Sequence, residues 1–575
     1  MNETKTQVNA VVTSVFPDKI RIEVKDIESF KIVGEKLSVG SYLKVSDSED
    51  CAIMAVIENF LIEKKEGMEE RKYILEALPV GFLDSDGRFV RGGNNIAIPP
   101  VGVQAARKED IQKIYSQIEQ KKSFSFSSLV QDNSILVPVD GDKFFNRHIA
   151  IVGSTGSGKS CTITSILQKA TQLKEDTYQG LNNSHIVLFD LHGEYISAFP
   201  QAHHLNVENL VLPYWLLNGE ELEDLFVETG EFQAYNQTSL LRRLITRNKQ
   251  KLNNNARIIF DTPARFSINE VLNCIVNLSR ETRDYKNSTT VMIQNNPKEF
   301  NSDEEKFDTF FEQEFAFQEP RSQNISKGTY NDGSLEKFIS RIRNKITDQR
   351  LGFLFGEKAE LTSFEDTLRQ FIGYMTNNEA NITVIDLSGV PFEVLSTTVS
   401  LISRIVFEYG YYFKRTADLS NDKTPILLVY EEAHKYVPKS DAVRYSSSRI
   451  AIERIAKEGR KYGVTLVILT QRPSEVSETI FSQCNNFIAM RLTNPDDQDY
   501  VKRLLPDSLG PLTDSLPILG SREAILIGDA LVMPSLVRID ECCPTPSSTD
   551  VNFLQEWKKK WLAIDFETLI KTWVK

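Results

Sequence analysis

Short, uninterrupted apolar runs rich in Val and Ile recur at residues 149–152, 186–189, 382–387, 425–430 and 465–469. Runs of that length and composition are expected of strands buried on both faces of a parallel sheet, with helices between them. They predict an α/β core. The chain's opening follows a different rule. Ile20, Ile22 and Val24 alternate with Arg21, Glu23 and Lys25, the period of two of a half-buried strand. Further candidate strands at 42–45, 52–60 and 73–78 are separated by turn-like segments at 46–50, 84–87 and 92–95. Several short strands at this spacing predict a small barrel or sandwich.

Between the second and third core runs the texture changes again. Residues 215–226, 238–248, 267–279 and 335–346 carry helical periodicity, whereas 294–332 is polar and expected to be a loop-rich excursion. The block is expected to be a helical insertion into the sheet domain. A Pro/Ser/Thr linker at 544–550 leads to Phe553, Trp557 and Trp561, a spacing that places three aromatics on one face of a helix. Packing on its own domain or on a neighbouring subunit outweighs a membrane-surface role for that helix. The expected boundaries are a β domain over 1–105, a core in two parts over 106–212 and 376–543, an insertion over 213–375 and a tail over 544–575.

Composition narrows the class. The 575 residues are 41% hydrophobic and 25% charged, ordinary for a globular protein and unlike collagenous, disulfide-rich or disordered chains. None of the six cysteines forms a C-x-x-C pair, and no histidine cluster completes a zinc pattern, so reduced thiols in a cytoplasmic protein are expected. The start lacks the pattern of a signal peptide, and no apolar run is long enough to span a membrane. A net charge of −12 argues against a protein that coats nucleic acid, though not against a local basic channel.

The candidate chemistry centres on Gly153, Ser154, Thr155, Gly156, Ser157, Gly158, Lys159 and Ser160, a match to G-x-x-x-x-G-K-[ST]. Glycines let backbone N–H groups turn inward around phosphates, Lys159 adds a point charge, and Ser160 offers a hydroxyl to Mg²⁺. The apolar run before the loop and the helical face Ile163, Ile166, Leu167 and Ala170 after it are the context such a loop needs. Glu431 and Glu432 directly follow the run at 425–430, where one carboxylate can serve Mg²⁺ and the other can polarise an attacking water. Gln471 follows the run at 465–469 and can sense the terminal phosphate or merely cap a turn before Pro473. Asp190 and Glu194 follow the run at 186–189 and face the same sheet edge by topology.

Together, Arg147 through the phosphate loop, residues 190–195, 431–434, and 458–463 through 471–474 resemble the HerA ATPases, hexameric DNA translocases of the HerA/FtsK branch of P-loop proteins. The resemblance covers most of the chain, with residues 294–332 and the final helix matching weakly. It implies a RecA-like core with an N-terminal β-barrel and a helical insertion, assembled as a homohexamer with ATP between subunits. Lys159, Ser160 and Cys161 would lie against the nucleotide and Mg²⁺, Glu431 on the metal side, Glu432 as catalytic base and Gln471 as sensor. Arg460 matches the arginine that reaches a neighbour's nucleotide, and Arg147 a second interface arginine.

The resemblance further implies double-stranded DNA in a central pore and a separate effector, a nuclease or a sirtuin-like NADase, docked through the barrel, and it leans towards antiphage defence. A hexamer would carry roughly −70 charges, which confines positive potential to a channel. Two other readings stay open: an ATP-dependent ring scaffold that activates its effector without sustained translocation, and a conjugation- or secretion-type ATPase. The basic cluster Arg341, Arg343, Lys345 and Arg350 is at least as well explained by a solvated helix face as by DNA contact.

Overall fold

The apolar runs become neighbouring strands. In the computed structural model, His203–Leu205, Ile382–Asp386, His185–Asp190, Ile426–Tyr430, Val464–Thr470, His148–Val152 and Cys484–Met490 lie side by side in that order, all parallel. The structure describes residues 10–16, 19–30, 37–46, 52–64, 71–84, 86–91, 102–175, 178–227, 234–294, 296–320, 324–375, 378–417, 423–439, 447–505, 510–547 and 553–574. Every residue of His148–Val152, Ile426–Tyr430 and Val464–Thr470 is buried, which is why these segments show no alternation. The sheet then continues antiparallel through Glu523–Gly528, Ser535–Ile539, Ser123–Leu129 and Leu136–Asp140, making eleven strands. Parallel strands align their carboxyl ends, so the residues after positions 152, 190, 430, 470 and 490 share one edge of the sheet. Ligands of α/β sheets bind at such an edge.

The N-terminal strands form a second, antiparallel sheet in the order Ala10–Val15, Ile20–Val24, Arg71–Leu83, Ala52–Lys64, Tyr42–Ser46, Val103–Ala105, with Phe89–Arg91 beside Arg71–Leu83. A bridge between Val11 and Gly102 brings its two end strands together. Ile20, Ile22, Val24, Leu43, Ile57 and Leu75 fill a core of its own. The alternating Arg21 points outward and, with Lys19, pairs with the buried Glu76. Arg91 fastens this sheet to the central one by donating to the carbonyls of Gly528, Leu531 and Val532 at 2.6–2.8 Å. The turn expected at 92–95 lies outside the described residues, as does most of that at 46–50.

The insertion's helices are Gly219–Phe226, Ala234–Leu252, Ile268–Arg280 and Glu336–Thr347, close to the expected spans. The polar excursion departs from expectation. It contains the helix Asp303–Phe310 and contributes Lys298–Glu299 and Ile325–Lys327 to a small four-stranded sheet with Thr282–Asp284 and Thr290–Val291. Widely spaced phenylalanines do this: Phe300, Phe307, Phe310 and Phe311 are buried, although the residues between them are polar. Sparse aromatics each bury a large area and can seed a core that a polarity average hides.

The tail also differs. The first tail helix is only Phe553–Trp557, a second runs Phe566–Val574, and Trp561 lies between them on no helix. The shared aromatic face therefore does not form. Phe553, Trp557, Trp561 and Trp573 are all exposed, so among the described residues these aromatics do not pack on their own domain. Helices this short need tertiary burial to persist beyond a turn or two, and 553–571 find none among the described residues. No helix among the described residues is long and apolar enough to cross a membrane.

Candidate nucleotide site

The phosphate loop joins the buried strand His148–Val152 to the helix Lys159–Ala170. Gly156 and Gly158 adopt left-handed φ of 72° and 101°, which a side chain would strain. A Cβ at Gly153 would stand 2.6 Å from Ser157 Oγ and 2.9 Å from Met490 Cβ. The loop is held from both sides. Gly153 N–H donates to Thr470 O at 3.2 Å, Ser154 N–H to Arg491 O at 2.7 Å, and Arg522 N–H to Ser157 O at 2.9 Å. Lys159 Nζ donates to Gly153 O at 2.8 Å, inside the curl of the loop. Burial pushes its pKa down, opposed by Glu432, Glu431 and Glu194 nearby.

The acidic pair stands where the sequence placed it, directly after Ile426–Tyr430. Both carboxylates are buried, and Glu431 Oε2 and Glu432 Oε2 make no hydrogen bond. Burial first, then Asp190, Glu194 and Glu432, raises the Glu431 carboxyl to about 9. Glu432 takes a left-handed φ of 48°, rare for a residue with a Cβ and typical of functional positions that the surrounding fold holds in place. His434 Nδ1 lies 3.3 Å from Glu432 Oε2 and is engaged by Thr470 Oγ1 at 3.2 Å. Burial pushes its pKa down, which keeps the imidazole neutral near pH 7.

Gln471 faces the loop, since its Oε1 accepts from Thr155 Oγ1 at 2.6 Å. Ser160 Oγ approaches Glu194 Oε2 at 3.4 Å, and burial raises the Glu194 carboxyl. Asp190 is committed elsewhere: its fully buried carboxylate accepts from the N–H groups of His192, Gly193, Glu194 and Tyr195 at 2.8–3.2 Å. It shapes the turn that presents Glu194, with Oδ1 taking three of these bonds and Oδ2 one. Cys161 lies on the helix just past Ser160, with its sulfur against that of Cys542.

The two arginines sit at the far edge of the sheet. Arg460 belongs to the turn Gly459–Tyr462 that precedes Val464–Thr470, and it is exposed. Its charge, after burial, helps depress the pKa of His148 at the start of the loop strand. Seven residues separate that edge from Gln471, roughly 20 Å at ~3.3 Å per residue. Arg460 therefore does not reach its own loop. Arg147 precedes His148–Val152 at the same edge and pairs with Asp529.

Sequence reasoning missed two cations beside the loop. Arg491 directly follows Cys484–Met490, its Nη2 lies 3.8 Å from where a Cβ on Gly156 would stand, and its Nε is buried without a partner. Arg522 takes a left-handed φ of 64° and packs on Gly158. The apolar run 487–490 ending in Arg491 was a usable signal, whereas nothing near Arg522 in sequence marks it.

Comparison with known proteins bears on this geometry. The family model "Helicase HerA, central domain" matches residues 124–406. A DNA double-strand break repair helicase HerA of Sulfolobus acidocaldarius is 26% identical over 82% of this chain and 79% of its own length. The chain belongs to the HerA family. A probable helicase of Methanocaldococcus jannaschii is 23% identical over 92% of this chain and 91% of its own length. Among solved structures, VirB4 of Thermoanaerobacter pseudethanolicus covers 74% of this chain at 13% identity, with a TM-score of 0.47. As a HerA-family protein the chain is an ATPase of the helicase and translocase type, and ATP is its nucleotide.

Proposed function

We propose that this HerA-family chain is a homohexameric motor that hydrolyses ATP between subunits and threads double-stranded DNA. The observation that carries the reading is the split of the catalytic set across the sheet. Lys159, Ser160, Glu431, Glu432 and Gln471 gather at one edge, and the exposed Arg460 stands at the other. Arg460 can then meet developing phosphoryl charge only at the site of a second copy. Head-to-tail contacts of this kind close into rings.

Mg²⁺ fits the donors present. It commonly takes one or two carboxylates plus substrate phosphates rather than a protein cage. Among the described residues no group of three His, Cys, Asp or Glu forms such a cage, whereas Glu431 keeps an unpartnered buried oxygen close to the Ser160 region. Bound there, the metal supplies Lewis-acid polarisation of the phosphates. Glu432 orients the attacking water and takes its proton. Gln471 registers the terminal phosphate once Thr155 releases its amide oxygen. Lys159 leaves the carbonyl of Gly153 and neutralises phosphate charge.

The basic cluster of the insertion adds little support for a pore role. Arg350 pairs with Asp348, Arg343 with Glu314, and Arg341 donates to Phe226 O. The N-terminal sheet, with its own core, is a self-contained surface for a separate effector, a nuclease or sirtuin-like NADase, in antiphage defence. Native mass spectrometry and ATPase assays with and without duplex DNA test the motor. Six-membered rings with DNA-stimulated turnover are expected. Intact rings whose turnover ignores DNA would replace the motor by an ATP-dependent scaffold.

A further inference from the structure

Residues 540–547 form a strap across the helix that follows the phosphate loop. Asp540 pairs with Lys169, Cys543 N–H donates to Gln168 Oε1 at 3.0 Å, and Gln168 Nε2 donates to Pro544 O at 2.8 Å. The far end of the strap reaches the acidic turn. Ser547 donates twice to Glu194 O, at 2.8 and 3.1 Å, and Thr545 O accepts from Ser197 Oγ at 2.9 Å. Glu194 in turn touches Ser160. The near end is tied to the loop through Glu541, which pairs at 2.8 Å with Arg522 beside Gly158. The strap thus reaches the nucleotide site through Glu541 and Ser547 and packs on the far end of the helix between them.

At its centre two free thiols meet: Cys161 Sγ lies 2.7 Å from Cys542 Sγ, one residue beyond Ser160. They are 381 positions apart in sequence, so only the fold brings them together. Cys161 is the more accessible and Cys542 is buried. A bond at ~2.05 Å needs a movement of less than about 1 Å. Burial pushes the Cys542 thiol up to about 12, which casts it as the resolving partner rather than the first to be oxidised.

We propose that Cys161 and Cys542 are a reversible dithiol modification site, and that their disulfide locks the strap onto the phosphate-loop helix and slows nucleotide exchange. A hydroperoxide is the oxidant. The Cys161 thiolate attacks the peroxide oxygen, the O–O bond breaks, and a sulfenic acid and one alcohol or water result. The Cys542 sulfur then attacks the sulfenic sulfur, the S–O bond breaks, and a second water leaves. Two thiols lose two electrons and the peroxide gains them. A small-molecule dithiol reverses the step. The covalent tie would hold the strap against the helix one residue beyond Ser160, and slower exchange is the expected consequence. The proposal rests on reading residues 153–160 as the nucleotide site.

The test treats the full-length protein with hydrogen peroxide and follows it by peptide mapping and by release of a fluorescent ATP analogue. A loss of about 2 Da mapped to a Cys161–Cys542 link is expected, reversed by dithiothreitol. Analogue release should slow by about threefold or more and recover on reduction. Cys542→Ser should bind and hydrolyse ATP as the reduced parent does, and its release rate should ignore peroxide. Cys543→Ser should respond like the parent. Oxidation confined to Cys543, links only between chains, or a mapped Cys161–Cys542 link with unchanged release would each overturn the proposal. If the reduced parent fails to bind the analogue, the nucleotide-site reading falls and the exchange claim with it, while the mapped link still decides whether the thiols pair.

Discussion

Two sets of buried carboxylates in this molecule have opposite fates. Glu221 of the insertion is fully buried, and both of its oxygens are satisfied. Oε1 accepts from Ser400 Oγ at 2.8 Å and Arg404 Nε at 3.1 Å, and Oε2 accepts from Arg404 Nη2 and Asn218 N–H, both at 2.9 Å. Glu431 and Glu432 are almost as deeply buried, yet each keeps an oxygen without a hydrogen bond. The first arrangement is complete, and it ties the insertion to the long core helix Phe392–Ala417. The second leaves acceptors open at the edge of the phosphate loop. An unsatisfied buried carboxylate costs stability, so its presence at a strand end beside a phosphate loop marks function rather than architecture.

The largest expected effect that breaks this comparison is on chemistry. Glu432→Gln keeps the shape of the side chain and removes the base, so kcat should fall by about 10²–10⁴-fold while ATP binding persists. Steady-state turnover alongside equilibrium binding checks it. Next comes the paired carboxylate. Arg404→Ala leaves Glu221 charged and buried, and chemical denaturation should show a loss of about 3–5 kcal/mol. Arg404→Met with Glu221→Leu should recover most of that loss, because a packed apolar pair replaces the ion pair without an orphan charge.

The third effect has the opposite sign. Glu431→Gln should stabilise the nucleotide-free chain at pH 8 by about 1–3 kcal/mol, measured by thermal or chemical unfolding. The Glu431 carboxyl keeps its proton up to about 9 when folded, against an ordinary 4.5 when unfolded. Between those values the folded state binds more protons, so its stability falls as pH rises. The benefit of the substitution should therefore shrink as pH falls towards 4.5. The smallest effect belongs to exposed pairs. Arg350→Ala loses a solvated contact with Asp348 and should cost no more than about 1 kcal/mol.

Legibility in the sequence followed the same division between local and assembled features. The P-loop strand, Glu431, Glu432 and Gln471 were readable because each abuts an apolar run buried on both sides, a signal carried by consecutive residues. The insertion's helices were readable from their period, and Glu221 sits in one with Asn218 as its cap. The backbone contacts of Asp190 were not legible, since a carboxylate after a strand can turn towards ligand or towards its own backbone. The fold of the excursion rested on four phenylalanines too widely spaced to set a period. Arg522 and the Cys161–Cys542 contact depend on segments brought together only by the finished sheet.

The central claim is that Glu432 and Arg460 of one catalytic site come from different copies of the chain. Mixing Glu432→Gln with Arg460→Ala tests it directly. Each variant alone should form rings and lack turnover. In equal mixture, about one interface in four pairs an intact Glu432 with an intact Arg460, so ATPase activity should reappear at a fraction of the parent rate. Mixed rings that form, bind ATP and stay inactive would contradict the account.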